Sequence, residues 1–154
     1  METNESVEIL NDLIKINNDR IRGYEKALQD LKQVQNPILQ ENLHQLFINF
    51  IDQSRQNRNE LGNEVQSLGG TMADDTTTSG KIYRSWRSLK AVFTGHDAKS
   101  ILESCESGED AAQKAYQQAL SDDLPAYQAD LVQSQKNSLR TAHDKVKSLR
   151  DKRD

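Results

Sequence analysis

Residues 69–80 read GGTMADDTTTSG, and this stretch separates two long helical patterns. Its density of Gly, Ser, Thr and Asp is typical of a loop, and it has no apolar period. With the residues that follow, up to 96, it makes a link of about 28 residues between two long helices, far longer than an ordinary helix–helix turn. A link of this length allows the helices on either side of it to run parallel, as in a bundle with a long crossover.

Two helices precede this loop and are joined by a short turn. An apolar stripe recurring every three or four residues predicts the first helix over 4–34. Asn36 and Pro37 supply an N-cap and a first-turn proline, so the second helix, over 37–68, folds back as an antiparallel hairpin. Gly69 can take the left-handed conformation that ends this helix.

Three further helical patterns follow the loop. The segment KIYRSWRSLKAVFTG predicts a short amphipathic helix over 80–93, within the crossover. Asp97 is the expected N-cap of the third long helix, over 97–121, and Pro125 is expected in the first turn of the fourth, over 124–150. The last two long helices therefore form a second hairpin.

The composition supports a single all-α domain over residues 1–154. Only 34% of the chain is hydrophobic and its mean hydropathy is −0.85, which suits narrow helices with one buried stripe each. The net charge of −4 argues against a nucleic-acid partner. The amino terminus has neither a basic leader nor an uninterrupted apolar stretch, so we expect a cytoplasmic protein without a membrane span.

Three stretches carry a family resemblance: NDLIKINNDRIRGYEKAL at 11–28, GKIYRSWRSLKAVFTGHDAKSILESCESGEDAAQKAYQQAL at 80–120, and the closing HDKVKSLRD. They resemble a bacterial family of ferritin-like four-helix-bundle proteins, described as a domain of unknown function. The resemblance implies a ferritin-like bundle with its crossover between helices 2 and 3. It also implies a cytoplasmic bacterial protein related to stress-associated ferritin-like proteins, with no reaction assigned.

Polar side chains interrupt the apolar stripes of all four long helices. At a rise of 1.5 Å per residue, Tyr24, Glu109 and His143 fall at nearly one height, about 15–18 Å from one end of the bundle. Buried polar groups need hydrogen-bond partners, so we expect a network in which Glu109 pairs with Arg20, Tyr24 or His143. The predicted members of this network are Asn17, Arg20, Tyr24, Ser54, Asn57, Glu109, Tyr116, Gln135 and His143.

A di-iron centre of the ferritin-like type needs a Glu from each of two helices and Glu-x-x-His from each of the others. The one literal Glu-x-x-His, Glu41 to His44, faces solvent, and the inward Arg20 opposes a pair of dications. The sequence therefore predicts no di-iron site, no catalytic residue, no cofactor and no enzymatic activity. The alternative is a metal or small-ligand site centred on Glu109 and His143, holding a divalent ion such as iron, zinc or manganese.

Two surfaces suggest partners. Four basic residues share the outer face of the short helix and could hold an anion or an acidic partner: Lys81, Arg84, Arg87 and Lys90. Ile14, Ile48 and Ile51 lie off the main stripes and favour an extra contact surface, hence a homodimer. The leading interpretation is a non-enzymatic helical bundle with a buried polar network.

Overall fold

The computed structural model describes residues 3–74 and 97–152, which contain four long helices and no strand within those ranges. The helices are α1 (Thr3–Leu31), α2 (Pro37–Ser67), α3 (Ala98–Leu120) and α4 (Ala126–Asp151). The predicted all-α four-helix bundle is confirmed. The predicted short helix at 80–93, and with it the basic face Lys81, Arg84, Arg87 and Lys90, lies outside the described residues.

The ends of α1 and α2 follow local hydrogen bonding. α1 stops at Leu31 rather than at 34, because the next three backbone amides donate to carbonyls three residues back and tighten the chain into a turn. The Asn36 side chain accepts a hydrogen bond from the Leu39 amide and caps α2, as predicted. At the other end Gly69 has a φ of 82°, and the Gly70 amide donates to the Val65 carbonyl, which is the Schellman pattern of a helix C-terminus.

In the second hairpin, the N-terminus of α3 has a side-chain cap and the N-terminus of α4 has none. The Asp97 carboxylate accepts from the Ser100 amide at 2.7 Å and starts α3, as predicted. Pro125 lies at the N-cap of α4, not in its first turn, because its extended backbone (ψ 152°) places the first helical residue at Ala126. The turn between α3 and α4 includes Asp123 with a φ of 60°, a conformation that side-chain-bearing residues seldom adopt.

Contacts across the bundle fix the direction of each helix. Arg20 and Asn17 of α1 meet Glu109 and Tyr116 of α3, so residue numbers rise along one helix as they fall along the other. α1 is therefore antiparallel to α3. Because α1 is also antiparallel to α2 in the first hairpin, α2 and α3 run parallel, as the long crossover predicts.

The apolar core lies between these helices and accounts for most large side chains. Leu10, Leu13, Leu61, Leu102 and Val146 are all buried. Ile14 and Ile51 are buried in the same core, with exposed fractions of 0% and 4%, and Ile48 is half-buried. The prediction that these three isoleucines form an open contact surface was wrong, because the core of this chain already covers two of them. No helix within the described residues is both long and apolar enough to cross a membrane.

Candidate functional site

The centre of the bundle holds a buried ion pair between α1 and α3. Arg20 Nε donates to Glu109 Oε1 at 2.6 Å and Nη2 donates to Oε2 at 2.9 Å, a bidentate geometry that matches guanidinium to carboxylate. The remaining guanidinium nitrogen, Nη1, donates to Ser54 Oγ at 2.8 Å and to the Phe50 carbonyl at 3.2 Å. Both charged side chains are fully buried. Three helices are thus joined through one guanidinium group.

Aromatic rings surround this pair on one side. The Arg20 guanidinium carbon lies 5.3 Å from the ring centroids of both Tyr24 and Phe50, within cation–π range. Burial disfavours the charged form of Arg20, but attraction to the Glu109 carboxylate outweighs it, and the pKa of Arg20 is raised. Burial, followed by the nearby Glu109 charge, raises the pKa of Tyr24 well above its usual value. Arg20 therefore stays protonated and the Tyr24 phenol stays neutral.

A second polar layer lies about one turn away along α1 and two turns away along α3, and it joins all four helices. Asn17 Nδ2 donates to the Tyr116 hydroxyl at 2.8 Å, and that hydroxyl donates to Gln135 Oε1 at 2.7 Å. Gln135 Nε2 donates to the Asn57 carbonyl at 3.2 Å and to Glu60 Oε1 at 3.1 Å. Asn57 Nδ2 returns to Asn17 Oδ1 at 3.3 Å and closes the circuit. Every helix contributes at least one side chain to this layer.

His143 is not part of either layer, and the prediction that it would meet Glu109 was wrong. It is half-buried at the bundle edge, where Nε2 lies 2.6 Å from Asp110 Oδ1 and Nδ1 lies 3.0 Å from Asp144 Oδ1. The inward face of α4 at this height belongs to Ala142, and each step along a helix turns the side chain by about 100°. His143 therefore points past the core toward α3.

The edge position of His143 creates a cluster that the sequence did not indicate. One ligand atom from each of Glu106, Asp110 and His143 lies within 4.8 Å of the other two. Glu106 and Asp110 are four residues apart on α3, so they share a face. Arg150 of α4 forms an ion pair with Glu106. Burial lowers the pKa of His143, but its contacts with Asp144 and Asp110 prevail, and the net shift is upward.

Other buried polar residues were also missed or only half found. Asp19 is fully buried although it lies beside the predicted stripe. Six consecutive residues of α1, 16–21, are buried, so the helix here has no solvent face from which sequence periodicity could be read. Gln128 of α4 is also buried, and its Nε2 donates to Glu64 Oε1 at 2.6 Å. This bond joins α2 to α4, in addition to the bonds from Gln135.

The central residues do not fit a ferritin-type metal centre. Such a centre needs several carboxylates converging on two ions. Among the described residues that hydrogen-bond to Arg20 there is one carboxylate, Glu109, and both of its oxygens accept from Arg20. Glu41 and His44, the literal Glu-x-x-His pair, are both exposed. Arg20 fills the space beside Glu109 with a positive charge that repels a dication.

Comparison with known proteins confirms the predicted family. Residues 5–122 match the family model described as "Domain of unknown function (DUF2383)". No curated protein matches the chain by sequence.

The fold is that of ferritin-like proteins of known structure. A mutant of Dps1 from Mycobacterium smegmatis superposes with a TM-score of 0.77 at 12% identity, covering 96% of each chain. The bacterioferritin-related protein of Bacteroides fragilis, described as a dodecameric thioferritin, gives 0.73 at 14% identity, covering 96% of this chain and 85% of that one. A ferritin-like di-iron-carboxylate protein from Bacillus anthracis gives 0.69 at 17% identity, covering 97% and 99%. At these identities the likeness shows the fold alone.

Proposed function

We propose that this protein, which belongs to the DUF2383 family, is a non-enzymatic ferritin-like bundle whose centre is closed by an ion pair instead of a metal centre. The observation that carries this proposal is the bidentate contact between the fully buried Arg20 and Glu109. In a low-dielectric core a bound guanidinium satisfies the carboxylate and leaves it unavailable to a cation. The bundle then serves as a structural or interaction protein.

Self-association is the second part of this proposal. The thioferritin with which the chain shares its fold is described as dodecameric, and a bundle without an active site has its outer helix faces as its working surfaces. Sedimentation equilibrium over a range of concentrations tests this part. A stable homodimer or larger assembly supports it, and a monomer at every concentration contradicts it.

Anaerobic titration with ferrous iron, followed by oxygen, tests the non-enzymatic assignment. We expect no ferric absorption band and no iron bound in a manner that depends on Glu109. Wild type and Glu109→Ala are compared, with Glu41→Ala as the matched control, since Glu41 is exposed on α2. Two iron equivalents per chain that are lost in Glu109→Ala and kept in Glu41→Ala would overturn the proposal.

The cluster at the bundle edge supports a second candidate function, the binding of one divalent cation. Asp144 accepts from Nδ1 of His143 when that nitrogen carries the proton, which presents Nε2 as the ligand atom toward Asp110 and Glu106. A carboxylate behind a ligating imidazole is the usual support of such a site. One nitrogen and two carboxylates suit zinc, manganese or ferrous iron. Arg150 would have to leave Glu106, so cation binding and this ion pair compete.

Titration calorimetry with Zn²⁺ and Mn²⁺ separates the two candidates. If the edge site binds a metal, one equivalent binds to the wild type and to Glu109→Ala, and binding falls by about tenfold or more in Asp110→Asn and in His143→Gln. His44→Gln is the control, because His44 is exposed and far along the sequence from the cluster. Equal affinities for His143→Gln and His44→Gln would rule out the edge site without touching the first proposal.

A further inference from the structure

A polar groove runs along the seam between α2 and α4, the neighbouring helices that have the least contact with each other. Its volume is about 440 Å³. On the α4 side the groove is lined by Ser134 and Ser138, and on the α2 side by amides and carboxylates. Two serines at positions where larger apolar residues would close the seam leave it open to solvent.

The floor of the groove is the second polar layer, and its donors are already in use. Gln135 Nε2 donates to the Asn57 carbonyl and to Glu60 Oε1. A ligand in the groove would therefore find few free N–H groups on the floor. Neutral amides and hydroxyls also line the groove, and the charged groups that it offers for recognition are the carboxylates of α2.

Acceptors of α2 in the groove have oxygens without a strong hydrogen-bond partner. Gln53 Oε1 is buried and receives no hydrogen bond from any described residue. Glu60 gives one carboxylate oxygen to Gln135, which leaves the other for a ligand. Asp52 has a partner in Arg55, but the atoms are 3.5 Å apart and both side chains are more than half exposed, so this ion pair is weak. Among the described residues that line the groove there is no Lys, Arg or His.

We propose that this groove binds a linear polyamine. A polyamine brings positive charge for the two carboxylates and N–H donors for the Gln53 oxygen, and the cation already paired with Asp52, Arg55, is more than half exposed and held weakly. Asp52 and Glu60 are eight residues apart on one helix, about 12 Å along its axis. An extended chain with ammonium groups at its ends spans that length, and the ammonium group that meets Asp52 lies within one residue of Gln53, whose oxygen it can also reach. The negative net charge of the protein favours the approach of such a ligand.

Titration calorimetry of the whole protein with spermidine, at low salt, is the test. We expect saturable one-to-one binding, weakened by about tenfold in the double variant Asp52→Asn/Glu60→Gln, since each exposed or half-exposed ion pair contributes a factor of about three. The control is Glu25→Gln/Glu41→Gln, which removes the same charge from exposed positions outside the groove. Gln53→Glu, which adds a carboxylate at the orphan oxygen, should tighten binding.

Length selectivity provides an independent measurement. A diamine with eight methylenes should compete with spermidine, and a diamine with four should compete poorly, because the short chain cannot reach both carboxylates. Equal loss of affinity in the groove and control variants would mean that spermidine responds only to net charge, and would overturn the proposal. So would the absence of saturable binding up to about 10 mM spermidine, a concentration at which even a weak specific site would be largely occupied. If the groove variants change the sedimentation behaviour and not spermidine binding, a cationic side chain of a second copy occupies the groove and the polyamine assignment is wrong.

Discussion

Replacing Glu109 with alanine should cost about 3–5 kcal/mol of unfolding free energy, the range measured when one partner of a buried ion pair is removed. The structure explains why the effect is large. In the variant the Arg20 guanidinium keeps only Ser54 Oγ and the Phe50 carbonyl as hydrogen-bond acceptors, with no solvent access to compensate its charge. A domain of ordinary stability has about 5–15 kcal/mol in total, so the variant would lose a large part of it.

The paired replacement Arg20→Met/Glu109→Leu should behave differently. It removes both charges while roughly keeping the buried volume, and such exchanges are commonly neutral or stabilising. Ser54 can then donate to the Phe50 carbonyl, four residues back on the same helix turn, so neither group is left without a partner. We therefore expect the double variant to be more stable than Glu109→Ala.

Urea unfolding at neutral pH, followed by circular dichroism, gives the unfolding free energies of the wild type, Glu109→Ala and the double variant. Glu106→Ala is the control, because its ion pair with Arg150 lies at the partly exposed bundle edge and should be worth under about 0.5–1 kcal/mol. The reasoning is refuted if Glu109→Ala and Glu106→Ala unfold at the same denaturant concentration. It is also refuted if the double variant is as unstable as Glu109→Ala.

Three further outcomes follow from named contacts. Tyr116→Phe removes a hydroxyl that both accepts and donates in the second polar layer and should cost about 1–3 kcal/mol in urea unfolding, whereas Tyr127→Phe, at a side chain 71% exposed, should change little. Asp97→Ala removes the cap of α3 and should cost about 1 kcal/mol, and Asp97→Asn should recover most of it, as thermal melts would report. The pKa of His143 is raised on folding, so its contribution to the unfolding free energy is complete below the unfolded value of 6.5 and is lost as the pH rises through the folded value. With a chelator present, the difference in unfolding free energy between wild type and His143→Gln should therefore be larger at about pH 5.5 than at about pH 9. A difference that grows with pH would contradict the assignment.

The helices could be predicted from the apolar period of the sequence, and their directions from the lengths of the loops between them. Both signals lie within short stretches of the chain. Asn36, Asp97 and Gly69 act through their own backbone neighbours, which makes caps readable from sequence. Arg20 and Glu109 could be placed together because both lie at the centre of their stripes. Asn17, Asn57, Tyr116 and Gln135 were assigned to the same predicted network for this reason, whereas Glu60 was not assigned to it.

The edge of the bundle could not be predicted in this way. A residue at the margin of a stripe, such as His143, turns toward one neighbour or another according to how the helices pack, and sequence period does not fix that angle. Asp110 and Glu106 were not predicted as site residues, because their partners, His143 and Arg150, come from a different helix. Asp19 was missed because α1 is enclosed on all sides at that height.

The unequal packing of the four helices gives the bundle a mechanical asymmetry. α1 and α3 are in close contact and linked by the buried ion pair, while α2 and α4 meet chiefly through the side-chain amides of Gln128 and Gln135. The two hairpins are therefore held together mainly along the contact between α1 and α3. Slow local opening should separate α2 from α4 before it separates α1 from α3. Backbone amide hydrogens of α2 and α4 that face each other should therefore exchange with solvent ahead of those of α1.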